Sequence, residues 1–288
     1  MAEILRLSSS TDLAAESSRA ADVLEEGGVV MFPDLAFPLS AEERALADPR
    51  VLGTKSKNVS WDARTGALGG ASVQGVERER LTAMTARYAA FADDLMARLL
   101  PAYAPALQPR RTSFRPGAVD ERALSPRKDD KRLHFDAFPS SPVGGRRILR
   151  VFSNVDPAGR PRLWRLGDEP LEAHARARLK RYARLGVRAR AMEALRITRG
   201  RRTDYDQAML RLHDGAKLDD AWQQTAAFTP VEFPAGSTWI VYTDGVLHAA
   251  MRGQNAFEQT YLMPVEAMVR PERSPLRTLE GLAGRPLV

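Results

Sequence analysis

The chain has 288 residues, 44% of them hydrophobic, and its 43 Lys and Arg against 36 Asp and Glu give a net charge of +7. This composition favours a globular protein with a full core over a disordered one. The absence of cysteine excludes a disulfide framework, a thiolate metal site and a cysteine nucleophile, so any metal ion would need His, Asp and Glu ligands.

The first residues lack the basic and apolar segments of a secretory signal, and no stretch has the roughly 18 uncharged apolar residues that a membrane-spanning helix needs. We therefore expect a cytoplasmic protein. The positive charge favours anionic partners, but it does not choose among nucleic acid, a lipid surface and an acidic small molecule.

Two amphipathic helices are predicted in the N-terminal part of the chain. Residues 11–27 have apolar residues at helical spacing after a capping Thr11, and residues 78–100 repeat the pattern up to Pro101. The segment between Gly28 and Phe37 reads as a strand. The helices are expected to brace a larger unit.

That unit begins near Arg110, where turn residues alternate with short β-prone runs. The runs are RRTSFRP, RLHFDAF, RILRVFSNV, PRLWRLG, VEFPAGSTWIVYTDGVLHAAM and AFEQTYLMPVE. They predict a mainly β fold with flanking helices, an antiparallel sandwich or jelly roll.

An Ala-, Leu- and Arg-rich stretch at residues 169–228 interrupts this pattern and predicts a helical insertion. Between Leu171 and Arg202 its basic residues are Arg/Lys 176, 178, 180, 181, 184, 188, 190, 196, 199, 201 and 202. A solvated helix face and a platform for an anionic surface are both open interpretations.

We predict one domain, residues 1–288. Within it, residues 1–109 form an α/β bracing region, residues 110–270 the jelly-roll core with its insertion, and residues 271–288 a C-terminal tail.

The sharpest chemical signal is the His134-x-Asp136 pair, because on a strand both side chains point to the same face. His248 follows the turn Thr-Asp-Gly after a second predicted strand, so one sheet could supply two imidazoles and a carboxylate. This set leaves coordination positions open for non-haem Fe(II), and zinc would also accept it. The alternative is that both histidines only satisfy buried hydrogen bonds. His174 and His213 lie among arginines and are predicted to be surface residues.

An Fe(II) oxygenase that uses 2-oxoglutarate also needs a cation for the distal carboxylate. In many such enzymes this cation is a basic residue about ten positions after the second histidine. Here Phe257, Glu258 and Gln259 occupy that place, so the usual basic residue is missing. Candidates elsewhere are Arg115, Arg150 and Arg162. Trp164 would share a strand face with Arg162, and Gln259 one with Tyr261.

The run RKDDKRLHFDAFPSSPVGGRRILRVFSNVDPAGRPRLWRLGDEP resembles the 3-deoxy-D-manno-oct-2-ulosonic acid (Kdo) hydroxylases. LGTKSKNVSWD and TDGVLHAAMRGQNAFEQTYLMP resemble the same family, and together these segments span most of residues 52–264. The resemblance implies a double-stranded β-helix (cupin-like) dioxygenase that depends on Fe(II), 2-oxoglutarate and O₂. It would convert Kdo of the lipid A inner core to the 3-hydroxylated sugar, Ko.

Carried over by this resemblance, the metal ligands would be His134, Asp136 and His248, with no further catalytic residue. The cosubstrate contacts would be Arg115, Arg150, Arg162, Trp164 and Gln259. The contacts for the anionic sugar would be Arg127, Lys128 and Lys57. The expected partner is Kdo-bearing lipid A or a related anionic glycolipid, reached from the cytoplasmic face of the inner membrane by the basic helices. Two alternatives are the same chemistry on another anionic or lipid-linked acceptor, and a non-enzymatic β-sandwich that binds nucleic acid or another polyanion. The absence of an aromatic-rich RNA-binding signature disfavours a nucleic-acid partner.

Overall fold

The computed structural model describes residues 2–54, 56–120, 124–179 and 187–288. The strands in these residues are β1 (Ile4–Arg6), β2 (Val29–Phe32), β3 (Val59–Asp62), β4 (Ala67–Gly69), β5 (Gln108–Arg115), β6 (Arg147–Asn154), β7 (Arg162–Gly167), β8 (Phe228–Phe233), β9 (Thr238–Tyr242), β10 (His248–Arg252) and β11 (Ala256–Met263). The helices are α1 (Ser17–Glu25), α2 (Ala41–Arg44), α3 (Gly75–Leu99), α4 (Leu171–Arg178), α5 (Val187–Ala194), α6 (Asp204–Leu218), α7 (Asp220–Thr225) and α8 (Pro275–Ala283).

The strands form two sheets that face each other. The large sheet has the order β1-β2-β9-β6-β11-β5-β3-β4, and the small sheet has the order β10-β7-β8. Every pairing is antiparallel except that of β1 with β2. Stacked and edge-on aromatic rings fill the space between the sheets: Phe152 and Trp239 from the large sheet against Trp164 and Phe233 from the small one. The predicted mainly β, jelly-roll architecture is confirmed.

Strands β6 and β11 are buried along their whole length because both faces of the large sheet are covered. The small sheet covers the inner face, while α3 packs against β5 and β11, and α1 against β2 and β9, on the outer face. The ring of Phe257 in β11 stacks on Tyr88 of α3 and on Phe114 of β5, with centroid distances of 4.6 and 4.7 Å. The predicted bracing role of the two N-terminal helices is confirmed, and β1 to β4 also extend the large sheet itself.

Helix α1 begins at Ser17, six residues after the predicted cap at Thr11. The Thr11 hydroxyl instead accepts a hydrogen bond from the Ser8 amide at 3.0 Å, while the Ser8 and Ser9 side chains donate to the Asp34 carboxylate. Thr11 therefore closes a turn against the end of β2 rather than capping the helix. The second predicted helix matches α3 closely.

Helices α4 to α7 lie between β7 and β8, which confirms the helical insertion. At the other end of the chain, residues 271–288 contain α8, whose Leu276 and Leu279 are buried in the core. Among the residues that the structure describes, no helix is both long enough and apolar enough to cross a membrane.

Candidate metal centre

Three predicted metal ligands, His134, Asp136 and His248, meet between the two sheets. One ligand atom from each lies within 4.8 Å of the other two. His134 Nε2 is 3.7 Å from Asp136 Oδ1, and His248 Nε2 is 4.0 Å from Asp136 Oδ2. The structure thus brings the two imidazoles and the carboxylate around one point, with both histidines buried.

Backbone hydrogen bonds set this arrangement. The His134 and His248 amides donate to each other's carbonyls at 3.1 and 3.0 Å, and the Ala250 amide donates to the Asp130 carbonyl at 2.8 Å. The five residues 130–134 therefore lie opposite only three residues of β10, 248–250. The predicted RLHFDAF strand is thus an irregular segment with a single β-bridge, between His134 and His248. The Asp136 amide then leaves β10 and donates to the Thr243 carbonyl at 2.8 Å.

The ring orientation of each histidine is fixed by a main-chain carbonyl. His134 Nδ1 lies 2.7 Å from the Arg132 carbonyl and His248 Nδ1 lies 2.9 Å from that of Val246, so Nδ1–H is the donor in each ring. This tautomer leaves an unprotonated Nε2 facing Asp136, which is the nitrogen a metal ion would take.

The electrostatics favour the protonation states that a metal ion requires. Burial lowers the pKa of both histidines, and the nearby His248 charge lowers that of His134 further. Burial opposes ionisation of Asp136, but Arg150, His248 and His134 outweigh it and lower the pKa of Asp136. Asp136 Oδ2 is buried, and no residue that the structure describes donates a well-aligned hydrogen bond to it, although Arg150 Nη2 lies 3.0 Å away. Neutral imidazoles and an ionised, under-satisfied carboxylate fit a divalent cation.

A network of buried charges adjoins the three candidate ligands. Arg150 Nη2 lies 3.0 Å from Asp136 Oδ2, and Arg150 Nη1 donates to Glu258 at 2.9 Å. The other Glu258 oxygen accepts from Arg115 Nε and Nη2 at 3.0 and 2.8 Å, and Arg115 also lies 3.8 Å from Asp130. Arg115 and Arg150, two predicted cosubstrate contacts, are thus linked by Glu258, a carboxylate to which the sequence analysis gives no role.

Arg162 and Trp164 share one buried face of β7, as predicted. The Trp164 indole stacks on the His248 ring with centroids 5.4 Å apart, and its Nε1 is buried without a hydrogen-bond partner in the described chain. Gly253, at φ 115°, packs on Arg162, where a Cβ would lie 3.0 Å from Arg162 Cα. The site thus holds a buried N–H donor beside a candidate metal ligand.

The prediction that Gln259 contacts the cosubstrate is wrong for this structure. Gln259 Nε2 donates to the Thr260 carbonyl at 2.9 Å, and its Oε1 accepts from Thr112. Side chains alternate along β11, so Glu258 faces Arg150 while Gln259 shares the opposite face with Tyr261. Tyr261 donates to Asp93 of α3 at 2.7 Å, which places that face on the outside of the large sheet.

The three predicted sugar contacts differ in their surroundings. Lys57 Nζ lies 3.3 Å from Asp130 and donates to the Lys128 carbonyl, so it adjoins the buried charge network. The Lys128 side chain is exposed. Arg127 Nε is 3.1 Å from Asp214 of α6, at the rim of the insertion.

The prediction that His174 and His213 are surface residues is wrong. His174 is fully buried between Phe135 and Trp222. The His213 ring meets the His134 ring edge-on at 5.4 Å. Lys217, one helical turn later in α6, is 2% exposed, and burial lowers its pKa while Asp130 and Asp136 oppose that shift. The spacing of four residues between His213 and Lys217 was the available signal, because it places both on one face of a helix.

Only some of the basic residues of the insertion lie in the part of the chain that the structure describes. Lys180, Arg181 and Arg184 lie outside the described residues, as do the side chains of Arg188 and Arg190. Arg176 pairs with Glu172 at 2.7 Å, and Arg178 lies 3.4 Å from Asp219. The side chains of Arg196, Arg199 and Arg201 are exposed.

The model of the 3-deoxy-D-manno-oct-2-ulosonic acid (Kdo) hydroxylase family matches residues 8–286. The chain belongs to this family. Crystal structures of the Kdo hydroxylase KdoO are similar to it over 99% of this chain and 97% of theirs. The complex with α-ketoglutarate (2-oxoglutarate) and Fe(III) is 41% identical with a TM-score of 0.92, and the complex with cobalt(II) is 42% identical with a TM-score of 0.93. Both are described as a non-haem Fe(II) α-ketoglutarate-dependent dioxygenase, and a complex with succinate and Fe(III) is 41% identical. The comparison with curated proteins gives no match.

Proposed function

We propose that this protein is an Fe(II)- and 2-oxoglutarate-dependent dioxygenase that hydroxylates Kdo at C3 to give Ko, with conversion of 2-oxoglutarate to succinate and CO₂. The observation that carries the proposal is the meeting of His134, Asp136 and His248 between the two sheets of a chain that matches the Kdo hydroxylase family almost end to end. Kdo of the lipid A inner core is the acceptor that we propose.

In this assignment His134, Asp136 and His248 hold the iron. Two imidazoles and one carboxylate occupy one face of a six-coordinate ion and leave the opposite face for small molecules. Bound iron supplies the activation of O₂ that accompanies decarboxylation of 2-oxoglutarate. The chain supplies the orientation: main-chain carbonyls hold both imidazoles, and Arg150 keeps Asp136 ionised.

We assign the cosubstrate contacts to Arg115, Arg150, Arg162 and Trp164. Arg115 of β5 and Arg150 of β6 lie on either side of β11 in the large sheet, and Arg162 lies with Trp164 on the face of β7 that is turned toward that sheet. The buried Trp164 Nε1–H has no acceptor in the described chain, which suits a carboxylate oxygen of the cosubstrate. A dicarboxylate would thus meet donors from both sheets.

We further propose that Lys57, Arg127 and Lys128 contact the anionic sugar. Lys57 is the nearest of the three to the charge network, through Asp130. Arg127 and Lys128 lie on an exposed turn, Pro126–Lys128, beside α6. This side of the insertion would then form part of the sugar site.

The test of the metal centre uses His134→Ala and Asp136→Ala. We expect both to abolish Fe(II)-dependent succinate formation and the visible charge-transfer band of the anaerobic Fe(II)–2-oxoglutarate complex, with the circular dichroism spectrum unchanged. The matched control is Asp94→Ala, an exposed carboxylate of α3. Wild-type turnover in either ligand variant would be incompatible with the assignment.

We also propose that the insertion places the protein at the cytoplasmic face of the inner membrane. Exposed Leu195 and Ile197 flank Arg196 in the described part of the insertion, a pattern that suits an anionic bilayer surface. Each basic side chain there contributes about 1 kcal/mol to binding. Reversing Arg176, Arg196 and Arg201 to Glu should abolish sedimentation with anionic vesicles and slow turnover of membrane-embedded acceptor. Reversing Arg44, Arg98 and Arg252 should not, and equal behaviour of the two triple variants would contradict this location.

A further inference from the structure

A cleft of about 670 Å³ extends from the charge network along one face of the large sheet. Its inner end is lined by Arg115, Arg150 and Glu258. Its outer end is lined by four arginines that we call the outer arginines: Arg64, Arg110, Arg111 and Arg199. Residues 60 and 62 of β3, 111, 113 and 115 of β5, and 258, 260 and 262 of β11 alternate onto this face. Between Pro109 and Thr112 the register of β5 against β11 shifts, and at this irregularity Arg110 lines the cleft together with Arg111.

The two ends of the cleft differ in their charge balance. At the inner end Glu258 pairs with both Arg115 and Arg150. At the outer end, all four arginines are exposed, and none of their guanidinium groups forms a hydrogen bond or ion pair with a residue that the structure describes. Asp62 is the one carboxylate lining that end of the cleft in the described chain.

The outer arginines therefore form a concentration of positive charge that its own surroundings do not neutralise. Such a group of guanidiniums recognises planar and tetrahedral oxyanions, because each can donate two parallel N–H bonds.

The inner end of the cleft adjoins the metal centre through Arg150. Arg150 lines the cleft, and Arg150 Nη2 is 3.0 Å from the candidate ligand Asp136. Arg111 lies four positions before Arg115 in β5, and a strand rises about 3.4 Å per residue, so Arg111 lies about 14 Å along the sheet from the inner end. A single sugar ring does not span that distance.

We propose that the outer arginines bind a second anionic group, a phosphate or a carboxylate, of an extended acceptor whose Kdo residue reaches the metal centre. The proposal rests on the proposed function and names the part of the acceptor that the outer cleft recognises. It predicts that the enzyme distinguishes an extended acceptor from the free sugar by charge at a distance from the reacting carbon.

The test compares two double variants, Arg110→Gln/Arg111→Gln and Arg64→Gln/Arg199→Gln, with Arg44→Gln, an exposed arginine of α2 that does not line the cleft. Loss of two exposed ion pairs should raise KM for a phosphorylated, Kdo-bearing glycolipid by about 3- to 30-fold, with kcat little changed. KM for free Kdo should stay the same, as should succinate formation without acceptor. Inorganic phosphate should compete with the glycolipid in the wild type and much less in the double variants.

The same measurements on a dephosphorylated glycolipid identify the anion. A loss confined to the phosphorylated acceptor assigns a phosphate to the outer arginines, and an equal loss for both acceptors assigns a carboxylate. A KM for the glycolipid that matches the Arg44→Gln control in both double variants overturns the proposal. Failure of the wild type to form succinate from 2-oxoglutarate would instead overturn the proposed function, so the two failures are distinguishable.

Discussion

Glu258 joins two arginines beside the metal centre, and we predict that Glu258→Gln destabilises the protein by about 3 kcal/mol. The carboxylate is 4% exposed and accepts three hydrogen bonds at 2.8–3.0 Å from Arg115 and Arg150. Removing one partner of a buried ion pair costs about 3–5 kcal/mol because the other charge stays buried. The amide oxygen of glutamine still accepts part of this set, which places the variant at the lower limit.

Urea unfolding monitored by tryptophan fluorescence measures this change, with Glu266→Gln as the control. Glu266 is 72% exposed and lies 3.3 Å from Arg277, an exposed pair worth at most about 1 kcal/mol. The melting temperature of Glu258→Gln should fall by about 6–12 °C. Added 2-oxoglutarate should raise the melting temperature of Glu258→Gln more than that of the wild type, because its bound carboxylate replaces the missing charge. A loss below about 1 kcal/mol, equal to the control, would refute the reasoning.

Two further predictions concern the same site. Trp164→Phe keeps an aromatic ring on His248 but removes the buried N–H. The KM for 2-oxoglutarate, measured in the succinate assay, should therefore rise by about 5- to 10-fold. An unchanged KM would exclude a hydrogen bond from Trp164 to the cosubstrate. Lowering the pH from 7.5 to 5.5 should destabilise the metal-free protein, because all four histidines have lowered pKa values in the fold. The unfolded chain then takes up protons near pH 6.5 that the folded chain does not, which costs up to about 1.4 kcal/mol for each histidine that stays neutral. Urea unfolding at both pH values, with a chelator present, measures the difference in the free energy of unfolding. Equal stability at the two pH values would contradict the buried, neutral imidazoles.

The triad was accessible from the sequence because it depends on local rules. His134 and Asp136 are two residues apart in an extended segment, so period-two alternation directs both side chains to one side. A single bridge between His134 and His248, the first residue of a strand after a tight turn, brings the second imidazole to them. Arg150, Arg162 and Trp164 were accessible for a similar reason, since a charge or an indole inside a β-prone run needs a buried partner.

The sequence could not predict the position of Gln259, because alternation assigns the side chains of β11 to two faces but does not say which face is turned toward the small sheet. Strand β11 is buried on both faces, so its pattern carries no exposed residues that would mark the outer one. The choice is made by Phe257, which stacks on Tyr88 of a helix that is distant in sequence. The role of Glu258 depends on the same choice, together with a register that brings Arg115 and Arg150 to it from two neighbouring strands.

The insertion shows why composition misplaced His174 and His213. Its excess of arginine suggested an exposed surface, yet α6 also carries a buried stripe that includes Tyr205, Met209 and Leu212. This stripe seats the helix on the rest of the fold and brings His213 against His134, so a segment that looks peripheral in sequence closes one side of the metal centre. In the function that we propose, the two sheets and the segment of His134 and Asp136 supply the residues for iron and cosubstrate, while the insertion and the outer arginines contact the acceptor. This division implies that changes in α6 or in the outer cleft alter which acceptor is used without removing the iron-dependent conversion of 2-oxoglutarate.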